Sequence, residues 1–209
     1  MTLSTWLAFF AASWAISFSP GPGAISAMAS GLKHGFRRGY WTTIGLILGI
    51  ICQVIVVGVG LGALIAASES VFSVVKWLGV AYLIYLGWKQ FRTDASPVAV
   101  ESNRASHFSI RELVTHGWLV NITNPKGTVF LLAVVPQFLD LSHPLAAQYL
   151  AIGATLCFTD LFAMGFYTAL SSRLLKVLRN PRHIRWMNRT FGALFILAGT
   201  VLASFSHHR

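Results

Sequence analysis

The sequence predicts an all-α integral membrane protein, with six transmembrane helices in two inverted three-helix repeats whose first helices are broken. Three observations support this fold class: an apolar composition, six apolar runs of membrane-spanning length, and matching breaks in the first and fourth runs. Of the 209 residues, 55% are hydrophobic and only 11% are charged. Because soluble domains carry about 25% charged residues, the composition excludes an ordinary soluble fold.

Six runs reach the length of about 20 apolar residues that a membrane span requires. The chain is therefore one transmembrane domain, 1–209, in which a first repeat (about 1–92) and a second repeat (about 108–209) flank a cytoplasmic linker (about 93–107). The linker is rich in serine, proline and mixed charges, which predicts a flexible connection. The six runs are approximately Leu3–Met28, Trp41–Ala67, Val71–Trp88, Leu113–Leu139, Leu145–Ser171 and Thr190–Ser206.

Basic residues predict which side of the membrane each connection occupies. The connections after the first, third and fifth runs hold 13 of the 16 lysines and arginines, whereas the opposite connections hold Glu69 and Asp140. The positive-inside rule therefore places the basic connections in the cytoplasm and both termini outside it. The 13 residues are Lys33, Arg37, Arg38, Lys89, Arg92, Arg104, Arg111, Arg173, Lys176, Arg179, Arg182, Arg185 and Arg189.

The net charge of +10 does not indicate a nucleic-acid-binding protein. In a soluble chain this charge would suggest such a partner, but here the basic residues lie at helix ends beside anionic lipid headgroups. The expected partner is the lipid bilayer, not nucleic acid.

Neither cysteines nor histidines predict a metal site or a cofactor. Cys52 and Cys157 each lie in the middle of an apolar run, where a cysteine acts as a small hydrophobic residue. The seven histidines form no group with the spacing of metal ligands. We therefore expect no metal, no cofactor and no catalytic residue.

The first run is interrupted by the motif SPGPG. Proline lacks a backbone donor and clashes with the preceding helical turn, while glycine tolerates open backbone conformations. A packing kink would be the simpler interpretation of a single proline. Two prolines and two glycines together favour a broken helix. The residues are Ser19, Pro20, Gly21, Pro22 and Gly23.

The fourth run carries a second interruption at a corresponding place, the motif NPKG, which spans Asn124, Pro125, Lys126 and Gly127. Pro20 and Pro125 are 105 residues apart, the same separation as between the two cysteines. Repeats of three spans are inserted with opposite orientations, as in many secondary transporters whose broken helices meet near the middle of the membrane. Free backbone groups are costly in lipid, so we expect both breaks to line a polar cavity.

Several motifs together resemble the LysE/RhtB family of amino-acid exporters. They are SPGPG, HGFRRG at 34–39, KWLGVAYLIYLG at 76–87, NITNPK at 121–126 and PQF at 136–138. The resemblance covers nearly the whole chain. It implies a bacterial inner-membrane exporter driven by proton antiport, with homoserine, homoserine lactone or threonine as substrates. In such a membrane, the orientation predicted from the basic residues places both termini in the periplasm.

Only two charged residues lie deep within the predicted spans. Asp160 is close to the centre of the fifth run, and Lys126 follows the break in the fourth. Charges at this depth normally face the protein interior and mark a transport pathway. We expect Asp160 to carry a proton or bind a substrate ammonium, and Lys126 to pair with it or attract a carboxylate. A static ion pair that orients two helices is the alternative.

Uncharged polar residues near the breaks complete the expected site. Ser19, Asn121 and Asn124 can donate or accept hydrogen bonds to a substrate. For Asn121, stabilisation of the opened backbone is an equally good explanation.

Three other classes of function compete with an exporter. A channel would conduct solutes without a proton gradient. A membrane enzyme would need a nucleophile with a base or a metal cluster at membrane depth, and the sequence contains no such motif. An assembly subunit would not transport by itself, and assembly into a homo-oligomer is left open.

Overall fold

The computed structural model describes residues 1–67, 69–93, 108–140, 142–171, 173–174 and 180–205. This part of the chain is helical and contains no strand, as the fold class predicted. The predicted linker, apart from Thr93, lies outside the described residues. The helices are α1 (Leu3–Phe18), α2 (Pro22–Ala67), α3 (Glu69–Arg92), α4 (Ile110–Ile122), α5 (Pro125–Phe138), α6 (Leu145–Ala169) and α7 (Pro181–Phe205).

The first two predicted spans correspond to helices α1 and α2. One break separates these helices, and α2 contains one sharp turn. Helix α1 stops at Phe18, and α2 changes direction at Gly35, whose φ of 70° and ψ of 172° are not helical. A positive φ of this size favours glycine because a Cβ would be strained there. Helix continues through Met28 and Trp41, so the limits of these two apolar runs are not helix ends. Hydropathy locates burial in lipid, and it does not locate helix ends.

The predicted fourth span consists of two helices. Helices α4 and α5 meet at an angle of 53°. Ser109 begins α4 with a capping box, in which its side chain accepts from the Glu112 N–H and its own N–H donates to the Glu112 carboxylate. Asn124 caps α5 by accepting from the Lys126 N–H at 3.1 Å, and Pro125 follows at the first helical position.

The described helices are those of a multi-pass membrane protein. By length and composition, Pro22–Gly60 in α2 and Leu145–Ala169 in α6 can each cross a membrane, and the bent pair α4–α5 counts as a third span if the two helices cross together and do not form a re-entrant loop. Helix α1 is apolar but shorter. The number of six spans and the inverted repeat stay predictions.

Helix α2 occupies the centre of the bundle, where it packs against α4 and α6. Small residues allow the backbones of α2 and α4 to approach closely: a Cβ at Gly49 would lie 2.7 Å from the Cβ of Asn121, and one at Gly117 would collide with the Thr42 carbonyl. Helix α3 packs against α5 and α7, and α1 packs against α6.

Two apolar clusters form the core. The first includes Phe9, Val134 and Ile152, which are at most 1% exposed, and the second is centred on Met28 and Leu46, which are fully buried. Residues of both clusters line a polar cavity between them. The fold therefore places polar side chains within an apolar interior.

Candidate functional site

A cavity of about 70 Å³ lies where the two helix breaks meet. At roughly 30 Å³ per water molecule in the liquid, this volume corresponds to about two waters. Its polar lining comes from α1, α2, α4, α5 and α6 and the two breaks. The polar lining residues are Ser17, Ser19, Gln53, Asn121, Asn124, Lys126 and Asp160.

The cavity brings together all the binding or coupling residues that the sequence suggested. The glycines of both motifs also line it, whereas Pro20, Pro22 and Pro125, which the structure describes, are not among the lining residues. Glycine at these positions leaves room for the cavity: a Cβ at Gly21 would lie 3.5 Å from the Lys126 ammonium. The residues suggested by the sequence that line the cavity are Ser19, Asn121, Asn124, Lys126, Asp160, Gly21, Gly23 and Gly127.

At the first break the helix stops after Phe18 and resumes at Pro22. Pro22 and Gly23, expected within the break, instead belong to the first turn of α2. The first turn suits proline because no intrahelical bond needs its missing N–H. The carbonyls released at the end of α1 have partners: Phe18 accepts from the Tyr167 hydroxyl at 2.6 Å, and Ser19 accepts from the Lys126 ammonium at 2.8 Å.

The second break is held by one side chain from α2. The Gln53 amide nitrogen lies 2.7 Å from the Asn121 carbonyl, 3.3 Å from the Asn124 carbonyl and 2.9 Å from the Thr128 hydroxyl. Here too Pro125 and Gly127, expected within the break, lie in the first turn of the next helix, α5. The break itself is confined to Thr123 and Asn124.

The two asparagines already bind the protein's own backbone. The Asn121 amide donates to the Leu46 carbonyl at 2.7 Å, which joins α4 to α2, and the Asn124 side chain caps α5. Both residues still line the cavity. Their amide groups therefore shape the cavity wall through bonds that do not need a ligand.

Lys126 and Asp160 face the same cavity without a direct ion pair. Within the described ranges, the ion pair closer than 4.0 Å is the one between His143 and Asp140. The Lys126 ammonium donates to the Ser19 carbonyl at 2.8 Å, and Asp160 lines the same cavity beside Ser17. The two charges interact across the cavity and leave space between them.

The Ser19 hydroxyl is unsatisfied. Its side chain lines the cavity, the residue is 4% exposed, and its oxygen has no hydrogen-bond partner among the described residues. An unpaired buried polar group costs about 1–3 kcal/mol. This hydroxyl is therefore available to whatever fills the cavity.

Three residues of the site were missed in the sequence: Ser17, Gln53 and Tyr167. These side chains are uncharged, and they lie outside the SPGPG and NITNPK motifs at the two breaks. Gln53 had a usable signal, because an amide in the middle of a membrane span needs a partner for the same reason that a charge does.

The arrangement suits a small zwitterion. A carboxylate and an ammonium face one cavity from α6 and α5, so they can bind a substrate ammonium and a substrate carboxylate respectively. The first turns of α2 and α5 also adjoin the cavity, and the positive ends of their dipoles favour an anionic group. No group of three or more potential metal ligands occurs in the part of the chain that the structure describes.

Comparison with known proteins gives a consistent assignment. Residues 14–206 match the model of the LysE type translocator family. The chain is 38% identical to a homoserine/homoserine lactone efflux protein of Salmonella typhimurium, over 99% of this chain and 100% of that protein. It is 36% identical to an uncharacterized membrane protein of Vibrio cholerae, over 98% of both chains. A leucine efflux protein of Enterobacter sp. is 27% identical over 88% of both chains.

No solved structure matches the chain significantly. The family model nevertheless covers most of the sequence, including both helix breaks and every residue of the polar cavity. The chain belongs to the LysE type translocator family.

Proposed function

We propose that this protein exports small amino acids or their derivatives from the bacterial cytoplasm in exchange for protons. Homoserine, homoserine lactone and threonine are the proposed substrates. The observation that carries the proposal is the cavity at the two helix breaks, where Lys126 and Asp160 present opposite charges. The efflux function in the names of two relatives supports the direction of transport.

The proposed substrate lies with its ammonium toward Asp160 and its carboxylate toward Lys126. The Ser19 hydroxyl then receives a partner from the hydroxyl or ring oxygen of the substrate. A cavity of about 70 Å³ favours small molecules over large side chains. A lactone lacks the free carboxylate, so its carbonyl oxygen takes the place near Lys126.

Asp160 is the proposed site of proton coupling. It is the acidic residue among those lining the cavity. A proton and a substrate ammonium compete for the same carboxylate, because protonation removes the negative charge that attracts the ammonium. Binding of one therefore favours release of the other, which is the requirement for exchange.

The proposed orientation places both termini in the periplasm and the protein in the inner membrane. The basic connections between the predicted spans support this orientation. Labelling of single cysteines at Ser4 and Arg38 with a membrane-impermeant reagent in intact cells tests it. Labelling at Ser4 alone is expected, whereas labelling at Arg38 alone would show the opposite orientation.

Efflux of labelled homoserine from proteoliposomes with an imposed pH gradient tests the function. Wild-type protein is expected to transport homoserine only when the gradient is present. Asp160→Asn keeps the shape of the side chain but cannot ionise, so gradient-driven export is expected to fall at least tenfold. Asp140→Asn is the matched control, because Asp140 lies outside the cavity and its variant is expected to transport normally.

The possible outcomes separate the competing functions. Wild-type transport that is indifferent to the gradient would indicate a channel or facilitator. Gradient-driven transport by Asp160→Asn at the wild-type rate would contradict the coupling role of Asp160. If homoserine, homoserine lactone and threonine all fail to move, the proposed substrates are wrong.

A further inference from the structure

A group of buried hydroxyl side chains continues from the polar cavity toward one end of the bundle. We call it the hydroxyl cluster. Its members are at most 7% exposed and come from α6 and from the two legs of α2, residues 22–34 and 36–67, which meet at the turn at Gly35. The members are Ser26, Ser30, Thr42, Thr43, Thr168 and Ser171.

The hydroxyls lie on the same helix faces that line the cavity. Residues three, four or seven positions apart share one face of a helix. The shared faces carry Gly23, Ser26 and Ser30 in the first leg of α2, Thr42, Thr43, Leu46 and Ile50 in the second leg, and Asp160, Met164, Thr168 and Ser171 in α6. The non-hydroxyl members of this list line the cavity, so each element extends the cavity wall with hydroxyls.

The first leg of α2 is in contact with both of the other elements. The hydroxyls of Ser30 and Thr42 are 2.8 Å apart, which joins the two legs. A Cβ at Gly31 would collide with the Thr168 carbonyl and would lie 3.0 Å from the Ser171 hydroxyl oxygen. The hydroxyl cluster is therefore one closed interface.

Two members of the hydroxyl cluster are unsatisfied. Ser26 is 7% exposed and Thr43 is 0% exposed, and neither hydroxyl oxygen has a hydrogen-bond partner among the described residues. Each such group costs about 1–3 kcal/mol. Hydrogen bonds between helices explain Ser30 and Thr42, but they do not explain these two, for which alanine and valine would pack at lower cost. The two hydroxyls are available to a polar molecule that passes between the helices.

A thin apolar layer separates the hydroxyl cluster from the cavity. Leu46 and Met164 line the cavity and are at most 4% exposed. A Cβ at Gly23 would lie 3.5 Å from the Leu46 side chain and 4.0 Å from the Met164 sulfur, so the first leg closes against both. Methionine side chains adapt readily to a changed surrounding. A displacement of the first leg would therefore join the cavity to the hydroxyl cluster.

The first leg has a non-helical connection at each end. Residues 19–21 separate it from α1, and Gly35, with a φ of 70°, separates it from the second leg. A Cβ at Gly35 would meet nothing within 4 Å. Such positions can absorb changes in φ and ψ and act as hinges. The first leg is thus built to move as a unit.

We propose that the hydroxyl cluster lines the route by which a substrate passes between the polar cavity and the membrane face that carries Lys33, Arg37 and Arg38. The route is closed in this structure and opens when the first leg moves away from α6. Its hydroxyls replace hydrogen bonds that a small zwitterion makes to water, and Ser26 and Thr43 thereby gain partners. This inference rests on the proposed function, which supplies the substrate.

Reaction of single cysteines with a cationic, membrane-impermeant methanethiosulfonate tests the route. Cys52→Ala and Cys157→Ala first remove the two native thiols. The reagent is applied to membrane vesicles at the face where Arg38→Cys reacts, so the result does not depend on the assigned orientation. Because a minor open state exposes the route, Ser26→Cys is expected to react at least about tenfold faster than Ser13→Cys.

Ser13→Cys is the matched control, because Ser13 is a fully buried serine that donates to the Phe9 carbonyl and lies outside the hydroxyl cluster. Thr43→Cys is a second test variant, in case Ser26→Cys fails to fold, as judged by size-exclusion chromatography in detergent. Attachment of the reagent to either test variant is expected to block most homoserine export, since the adduct fills the route.

The outcomes separate the route from the proposed function. If Ser26→Cys and Thr43→Cys react no faster than Ser13→Cys, the route is overturned and the hydroxyls only pack. Reaction at the opposite membrane face alone would also overturn it. Both results can occur in protein that exports homoserine. If wild-type protein exports no homoserine but the two cysteines react from the expected face, the proposed function fails and the route stands.

Discussion

The ammonium of Lys126 donates a hydrogen bond to the main-chain carbonyl of Ser19 at 2.8 Å, across 107 residues of sequence. The ammonium at the beginning of α5 thereby gives a hydrogen-bond donor to a carbonyl at the end of α1. The same ammonium faces the cavity that contains Asp160. Lys126 thus has a structural partner and a position suited to a substrate carboxylate.

Replacement of Lys126 by methionine is expected to impair export strongly. Lys126→Met keeps most of the side-chain volume but removes the charge and the bond to Ser19. Hydrogen bonds to charged groups contribute about 1.5–3 kcal/mol, which corresponds to a loss of roughly 10- to 100-fold in kcat/KM for homoserine efflux. Lys89→Met is the matched control, because Lys89 is exposed at the end of α3. Equal efflux by both variants would contradict a role of Lys126 in transport.

Gln53→Leu is expected to destabilise the protein by about 1–3 kcal/mol, because the carbonyls of Asn121 and Asn124 lose their shared donor. Unfolding in detergent, followed by circular dichroism, measures the change. Gln90→Leu is the control, since the Gln90 side chain donates to the Asn188 side chain at 3.1 Å and not to a carbonyl at a helix break. If Gln53→Leu loses no more unfolding free energy than Gln90→Leu, the second break does not depend on Gln53.

Two glycine substitutions are expected to change stability in opposite directions. Gly117→Ala forces a methyl group against the Thr42 carbonyl and should cost about 1–3 kcal/mol through overpacking. Gly60→Ala meets nothing within 4 Å and should stabilise α2 by up to about 1 kcal/mol, since alanine is the better helix former. Thermal unfolding of both variants compares them directly. Equal effects would mean that α2 and α4 are less closely packed than the structure shows.

Asp140 is expected to make stability depend on pH in the acid range. Hydrogen bonds from the Ser142 hydroxyl and N–H, together with nearby His143, lower the pKa of Asp140 from 3.8 to about 2. Because the folded-state pKa is below that of the unfolded chain, the stabilisation is present above pH 4. It is lost as the pH falls through about 2. The difference in melting temperature between wild type and Asp140→Asn should therefore shrink between pH 4 and pH 2.

Ser142→Ala tests the cause of this pH dependence. Without the serine hydroxyl, the pKa of Asp140 should return toward its ordinary value, and the melting temperature should change less over the same pH range. An unchanged profile in Ser142→Ala would assign the effect to another group.

The sequence was sufficient to predict the helical membrane fold and five of the polar residues that gather at the cavity, Ser19, Asn121, Asn124, Lys126 and Asp160. Proline, glycine and charge are rare in apolar runs, so SPGPG, NPKG, Lys126 and Asp160 were conspicuous. Helix ends were less predictable, because hydropathy does not report them: α2 continues from Pro22 to a single turn at Gly35 and onward through Trp41.

The hydrogen bonds from uncharged side chains to distant backbone carbonyls also could not be predicted from the sequence. Gln53 and Tyr167 bind backbone carbonyls that become free only because α1 and α4 end where they do. Their acceptors lie 68 and 149 residues away along the chain, so only the folded arrangement pairs them.

The bond between Lys126 and Ser19 also has a consequence for biosynthesis. Ser19 leaves the ribosome 107 residues before Lys126. At about 5–20 residues per second, its carbonyl waits roughly 5–20 s for this partner. During this interval the carbonyl at the end of α1 in the nascent chain lacks its lysine donor. Until the second half is synthesised, the Ser19 carbonyl must take its hydrogen bond from water or from the insertion machinery instead of from Lys126.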